Sequence, residues 1–258
     1  MRTDDTIVLI TGASRGLGRE VARLLAARGA GLILTARGAG ALEDAVAGLR
    51  DVASRSGAAG EILAVAGDVA DAAHAERLVR DGLARFGHID VLINNASTLG
   101  ASPMPRLEAL DPRIFEEIFR INVAAPLRLI QLVLPQMKAR RTGVIINVTS
   151  DAAVEAYPGW GGYGASKAAL EHLTRILAAE LDGTGVRAYI VDPGEMNTRM
   201  HRDAEPGVDL SHLPPPEVSA PAFLQLVEDE TAAFGRFAAQ RMPVGPRLTR
   251  GMQRGQVR

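Results

Sequence analysis

The sequence has no cysteine. That absence excludes disulfides, thiolate nucleophiles and thiolate metal sites, so redox chemistry, if present, must be carried by a bound cofactor. An excess of charge of one sign is also missing. The 29 Lys and Arg against 30 Asp and Glu leave a formal net charge of −1, a balance that does not draw a chain onto nucleic acid or an anionic membrane. Small molecules are therefore the expected partners. No apolar run approaches the roughly 18 residues needed to cross a bilayer. The opening Met1-Arg2-Thr3-Asp4-Asp5 passes directly into Ile7-Val8-Leu9-Ile10, too short a core for a secretion signal. A cytoplasmic location is expected. His74, His88, His172, His201 and His212 show no metal-ligand spacing such as HxxxH or HExxH. No metal site is expected, and each is read as a surface or loop histidine, with His201 the one placed to touch a substrate.

What is present is a chain of 258 residues, 47% of them apolar, long enough for one large core. Short β-rich apolar runs at 6–11, 31–36, 61–66, 89–94, 143–149 and 186–192 alternate with longer helical patterns. The alternation predicts an α/β chain built from βαβ units: a single-domain, Rossmann-like, doubly wound parallel sheet of about seven strands with helices on both faces. Such sheets bind ligands beyond the carboxyl ends of their strands, where strand order reverses.

The pattern assigns this domain to 1–240. A helix is expected over 111–138, opened by Asp111 at the N-cap and Pro112 in its first turn. Pro126 inside it has no N–H to give the carbonyl of Asn122. Either the helix simply bends there, or the Asn122 carbonyl is turned toward a water in the site. Residues 194–220, with Pro206, Gly207 and Pro214-Pro215-Pro216, are too irregular for an ordinary connector and are read as a substrate-side lid. After Glu230 no acidic residue remains, while Arg236, Arg241, Arg247, Arg250, Arg254 and Arg258 do. The favoured reading is a solvated stretch ending in an Arg-rich tail at 241–258; an anion-binding or subunit-contacting arm is the other.

After the first strand comes Thr11-Gly12-Ala13-Ser14-Arg15-Gly16-Leu17-Gly18, leading into an amphipathic helix. Glycines at that junction allow a tight turn and close approach of backbone N–H groups to a pyrophosphate. The second strand ends Leu34-Thr35-Ala36-Arg37. The carboxylate that would hold an NAD ribose is missing there, and Arg37 stands beside its place with Arg15 available from the glycine loop. Two guanidiniums suit a 2′-phosphate, so NADPH/NADP+ is expected over NAD(H).

Tyr163 and Lys167, in Tyr163-Gly164-Ala165-Ser166-Lys167, lie one helical turn apart on one face. The lysine is either a structural partner of the tyrosine or a tuner of its acidity. In order along the chain, TGxxxGxG, the Asn94-Asn95-Ala96 strand end, Ser150 and YxxxK resemble the short-chain dehydrogenase/reductase family over residues 6 to about 200. The resemblance implies a tetrad of Asn122, Ser150, Tyr163 and Lys167. It further implies Asp68 and Val69 against the adenine, Asn95 and Ala96 beside the cofactor, and Pro193, Gly194 and Thr198 on the nicotinamide side. A homodimer or homotetramer is implied as well. Where the family has Asn-Asn-Ala-Gly, this chain has Ser97 in place of the glycine.

The chemistry follows from the groups. In carbonyl reduction an acid must protonate the oxygen that hydride leaves charged, and neutral tyrosine, with a pKa of about 10, already holds that proton at pH 7. In alcohol oxidation the tyrosine must act as a base, which needs a drop of about three units. Lys167 together with an oxidised cofactor in a site closed to water supplies it. Ser150 would donate to the substrate oxygen, Lys167 would also hold the ribose, and a water on Asn122 would continue the proton path. Trp160 is either core packing or an apolar substrate wall; Glu195, Met196, Asn197 and His201 are the other residues placed to meet substrate. The expected function is NADP(H)-dependent interconversion of a carbonyl and a secondary alcohol, with reduction favoured. A non-catalytic NADP(H)-binding sensor or scaffold, or an epimerase or dehydratase on the same fold, is the alternative.

Overall fold

In the computed structural model, which describes residues 1–58 and 60–243, strands and helices alternate as the apolar pattern requires. β1 (Ile7–Thr11), β2 (Gly31–Thr35), β3 (Ile62–Ala64), β4 (Val91–Asn94), β5 (Gly143–Val148), β6 (Val186–Asp192) and β7 (Arg236–Ala238) form one sheet in the order β3-β2-β1-β4-β5-β6-β7. Every neighbouring pair is parallel, so each connection must cross over the sheet. The helices are α1 (Gly16–Ala26), α2 (Ala39–Arg55), α3 (Ala72–Phe86), α4 (Pro112–Phe119), α5 (Ala125–Arg140), α6 (Gly161–Glu180), α7 (Arg199–Ala204) and α8 (Ala220–Glu228).

Successive strand residues face opposite sides of the sheet, and that alternation builds two cores. Leu9, Ile33, Leu92 and Ile145 meet Leu78 of α3, Val133 and Met137 of α5 and Leu177 of α6. Val8, Ile10, Leu32, Leu34 and Ile146 meet Val21 and Leu25 of α1, Leu49 of α2 and Phe223 of α8. The fold is the doubly wound α/β sheet expected from the sequence.

Four expectations need correction or refinement. The helix expected at 111–138 is present in two parts. α4 is capped by Asp111, whose Oδ1 accepts from the Arg113 N–H at 2.8 Å. Residues 120–124 then widen into a π turn that contains Asn122, and α5 resumes with Pro126 in its first turn. The run Pro112–Arg140 also holds an 18-residue window with a mean hydropathy of 1.4, long and apolar enough by composition to cross a membrane, which corrects the expectation that no stretch comes near that length. Its apolar side packs on the sheet, where Leu129, Ile130, Val133 and Met137 are buried. His74 is not a surface residue: it is 4% exposed on α3 and bonds through Nε2 to the Thr35 hydroxyl at 2.9 Å. Arg236 is not part of a solvated stretch either, because it stands in β7 and pairs with Glu171 and Asp192. Arg241 is exposed, and Arg247, Arg250, Arg254 and Arg258 of the expected tail lie outside the described residues.

Strand order reverses between β1 and β4, and Thr11 and Asn95 hold the two strand ends together there. The Thr11 hydroxyl accepts from the backbone N–H groups of Asn95 and Ala96 at 3.0 and 2.9 Å. The Asn95 amide donates back to the carbonyls of Thr11 and Gly12 at 2.9 and 3.3 Å. Replacing Thr11 by valine keeps the shape and strands two N–H groups, which should lower stability by about 2 kcal/mol in urea unfolding. A change below about 0.5 kcal/mol would mean that those amides find another acceptor.

Candidate active site

The chain leaves β1 through Gly12 at φ +68° and enters α1 through Gly16 at φ +54°, a conformation that favours glycine. A Cβ on Gly12 would meet Asn95 Nδ2 at 2.9 Å, and one on Gly18 would meet the same nitrogen and the Gly12 carbonyl oxygen at 2.5 Å. Those two glycines are demanded by the protein's own packing. Gly16 differs, since its nearest neighbour would be Thr198 Cγ2 at 3.7 Å. Arg15 at the N-cap of α1 offers no side-chain cap, so the first N–H groups of that helix are left for an anion.

Above this turn lies a cavity of about 900 Å³ that runs across the carboxyl ends of the strands. At one end it is lined by Gly12, Ser14, Arg15, Gly16, Leu17 and Arg37, with Asp68 and Val69 beside them. Both arginines are exposed, and Ala36, Arg37 and Gly38 follow β2 without a carboxylate. Asp68 Oδ1 accepts from the Ala70 N–H at 2.9 Å, and its Oδ2 pairs with Arg120 at 3.3 Å. Asn95 and Ala96 form the floor at the middle. Gly18 and Asn122 do not line the cavity; they lie behind it. An open glycine cradle, an uncapped helix start and two arginines fit a dinucleotide carrying phosphate.

At the other end stand Ser150, Trp160, Tyr163 and Lys167, together with Pro193, Gly194, Glu195, Met196, Thr198 and His201. Tyr163 is 8% exposed and Lys167 2%. The ammonium sits 5.5 Å from the Tyr163 ring centre and donates to the Val148 carbonyl at 2.8 Å. Burial moves both groups toward their neutral forms. It pushes the Tyr163 phenol up, with the Ser150 and Ser97 hydroxyls opposing the rise, and it brings Lys167 down to about 8. Ser150 Oγ donates to Asp151 Oδ1 at 2.9 Å and accepts from the Ala152 N–H at 3.2 Å. Trp160 packs edge-on against Tyr163, ring centres 5.9 Å apart, and against Tyr157 at 6.1 Å. It therefore both packs and lines the cavity.

Asn122 is fully buried, and its amide is saturated. Oδ1 accepts from Ser97 Oγ at 3.1 Å and from the Thr98 N–H at 2.9 Å; Nδ2 donates to the Thr98 carbonyl and to Ser166 Oγ, both at 2.9 Å. Only its backbone is left to serve the cavity. Among the described residues Arg141 is the one non-glycine residue with positive φ, so Ser97 takes an ordinary backbone conformation and adds a hydroxyl. On the far side, Asp192 Oδ1 accepts from the Gly194 N–H at 2.9 Å. Thr198 caps α7 through the His201 N–H at 3.3 Å, and His201 lies 3.4 Å from Glu205.

Sequence reasoning passed over three groups that the fold brings here. Ser97 was visible only as a departure from the glycine. Asp151 follows Ser150 directly and bonds both its hydroxyl and that of Tyr157, the latter at 2.9 Å. Glu171 lies four residues beyond Lys167 on the same face of α6, a spacing that extends the Tyr163-Lys167 pattern; its partner Arg236 had no local signal.

The model of the short chain dehydrogenase family matches residues 6–209. An uncharacterised oxidoreductase of Listeria monocytogenes is 35% identical over 202 residues, 78% of each chain. A metagenomic short-chain oxidoreductase solved with NADP superposes with a TM-score of 0.77 at 26% identity, covering 92% of this chain and 97% of that one. An NADH-dependent reductase solved with NAD gives 0.72 at 28% identity over 87% and 90%. With its parallel seven-stranded sheet and a family match over most of its length, this chain is an oxidoreductase of the short-chain dehydrogenase/reductase family.

Proposed function

We propose that the protein interconverts a carbonyl and a secondary alcohol with NADP(H), and that reduction is the favoured direction. The observation that carries this reading is the polarity of the cavity above the glycine turn: Arg15 and Arg37 at one end, buried Tyr163 and Lys167 at the other. The pyrophosphate would rest on the Gly16 turn and the start of α1, the 2′-phosphate between the two arginines, and the nicotinamide against Pro193, Gly194 and Thr198. When bound, the cofactor supplies or accepts the hydride.

Tyr163 gives its proton to the substrate oxygen as that oxygen gains charge. Burial favours the protonated phenol, so the acid needed for reduction is in place near neutral pH. Ser150 turns its hydroxyl from Asp151 to the same oxygen. Lys167 orients the ribose and lends positive charge to the tyrosine. Asn122, with its side chain fully committed, would contribute through the backbone carbonyl that it carries in the π turn before Pro126. Trp160, Met196 and His201 enclose the substrate, Glu195 meets its polar part, and residues 194–220 act as the lid. A homodimer or homotetramer formed through α5 and α6 belongs to the same reading, and Leu127 and Ile176 stand exposed on those helices.

Tyr163→Phe should lower turnover by about 10²- to 10⁴-fold while NADPH fluorescence on binding is kept; near-normal turnover on a panel of aldehydes and ketones would reject the assignment, and binding without turnover in the unaltered protein would favour a sensor. Arg37→Ala should raise the KM for NADPH by about tenfold or more and leave that for NADH nearly unchanged. An intrinsic preference for NADH would remove the 2′-phosphate from the reading.

Lys167 also links stability to pH. The unfolded chain holds this proton to about the ordinary 10.5, while the folded, cofactor-free protein releases it near 8. Between those values the unfolded state binds the extra proton, so stability rises with pH from about 8. Above 10, Tyr163, kept neutral by burial, acts in the opposite sense. Urea unfolding of the cofactor-free protein should show a gain of about 2 kcal/mol from pH 7.5 to 9.5 that Lys167→Met lacks. Equal gains in both proteins would place the titrating group elsewhere.

A further inference from the structure

Behind the site, one guanidinium joins parts of it that are distant in sequence. Arg236 of β7 donates through Nε to Glu171 Oε1 at 2.8 Å, and through one terminal nitrogen to Asp192 Oδ2 and to the backbone carbonyl of Ser150, both at 3.1 Å. Glu171 is 4% exposed and Asp192 8%. Glu171 Oε1 also accepts from the Thr149 hydroxyl at 2.9 Å, and its Oε2 from Arg175 at 3.2 Å. Asp192 holds the Gly194 N–H. The acceptors thus belong to the end of β5, the end of β6 and the face of α6 that carries Tyr163 and Lys167.

We propose that Arg236 is a positioning residue for the active site: by spanning Ser150, Asp192 and Glu171 it sets the Ser150 hydroxyl and the Pro193-Gly194 turn against Tyr163. This rests on the reading of Tyr163 and Ser150 as the catalytic pair. Its physical basis is twofold. The Ser150 carbonyl belongs to the residue whose hydroxyl must meet the substrate; it accepts locally from the Ala153 N–H at 3.0 Å, and the guanidinium adds the bond that ties this turn to β6 and α6. Two buried carboxylates also face one cation; removing it takes from Asp192 the ion pair it makes among the described residues and leaves Glu171 with Arg175 alone, which disfavours the arrangement.

The second consequence is electrostatic. The groups that bear on the Tyr163 hydroxyl are Lys167 from α6, Ser97 from the loop after β4, Ser150 and Asp151 from the turn after β5, and Asp192 from the end of β6. Arg236 offsets the charge of Asp192 and of Glu171. Without it, the negative field at the tyrosine grows and the phenol holds its proton to higher pH.

The test compares Arg236→Gln, Arg236→Lys and Glu171→Gln in the full chain, using NADPH with the best carbonyl from the panel, and NADP+ with the matching alcohol. Arg236→Gln should lower kcat by roughly ten- to a hundredfold with the carbonyl KM within about threefold, and should move the pH midpoint of alcohol oxidation up by about one unit. It should also weaken NADPH binding, read by fluorescence without turnover, by about fivefold through the Gly194 turn. Glu171→Gln should move the midpoint down. Arg236→Lys should return the midpoint toward its normal place while kcat stays low, because one ammonium cannot span the three acceptors. If Arg236→Gln fails to fold, Arg236→Lys decides, through a kcat that stays low at a near-normal midpoint. Unmoved midpoints, unchanged NADPH binding and kcat within about twofold in folded variants overturn the proposal. Full turnover by Tyr163→Phe would instead reject the catalytic reading beneath it.

Discussion

A parallel sheet joins its strands through right-handed crossovers, and where strand order reverses the crossovers depart to opposite faces. Here the reversal lies between β1 and β4. α1 leaves toward the core that contains Phe223, whereas the chain after β4 feeds α5 on the other face. Between them a crevice opens at the strand ends. Its floor is made by backbone and small polar groups: the Thr11 hydroxyl and the Asn95 amide tie the two strand ends together, and Gly12 and Gly18 leave room for that amide. The cavity that carries the functional reading is the direct result of this topology.

The two ends of the cavity use opposite electrostatic means. Arg15 and Arg37 are exposed and keep their charge in water, which suits capture of an anion by a flexible pair. Tyr163 and Lys167 are almost fully removed from water, so the low local dielectric disfavours charge on either. Burial therefore favours the phenol and loosens the ammonium's proton. Behind this buried pair the charged groups are balanced, with Arg236 between Glu171 and Asp192, and the same contacts tie β5, β6, β7 and α6 into one frame.

Family membership supplies the fold and the reaction class, but the particular side chains shape the site. Ser97 illustrates this. Its backbone is ordinary, and its hydroxyl bonds the Asn122 amide and stands beside Tyr163. Asn122 is consequently held by side-chain bonds on both its oxygen and its nitrogen, and the π turn around it follows from a helix that meets Pro126 one turn later.

Six of the strands, the helices on both faces of the sheet, the glycine turn and the Tyr163-Lys167 pair were legible in the sequence, because each depends on neighbours within a few residues: alternation along a strand, a helical face repeating at four, a turn that needs positive φ. β7 was not, since three partly buried residues carry no periodic signal. His74 and Arg236 were misplaced for the same reason. Whether a polar side chain leaves the solvent depends on partners 39 residues away for His74 and 44 to 86 away for Arg236, and composition treats such residues as surface. By itself the sequence determined the fold class, the glycine turn after β1 and the placing of Tyr163 and Lys167 one turn apart on a helix. Only the tertiary structure decided which charges are buried, which carboxylates face which guanidinium, and that Asn122 is locked through Ser97, because those are long-range contacts whose energy appears only when separate elements exclude water together.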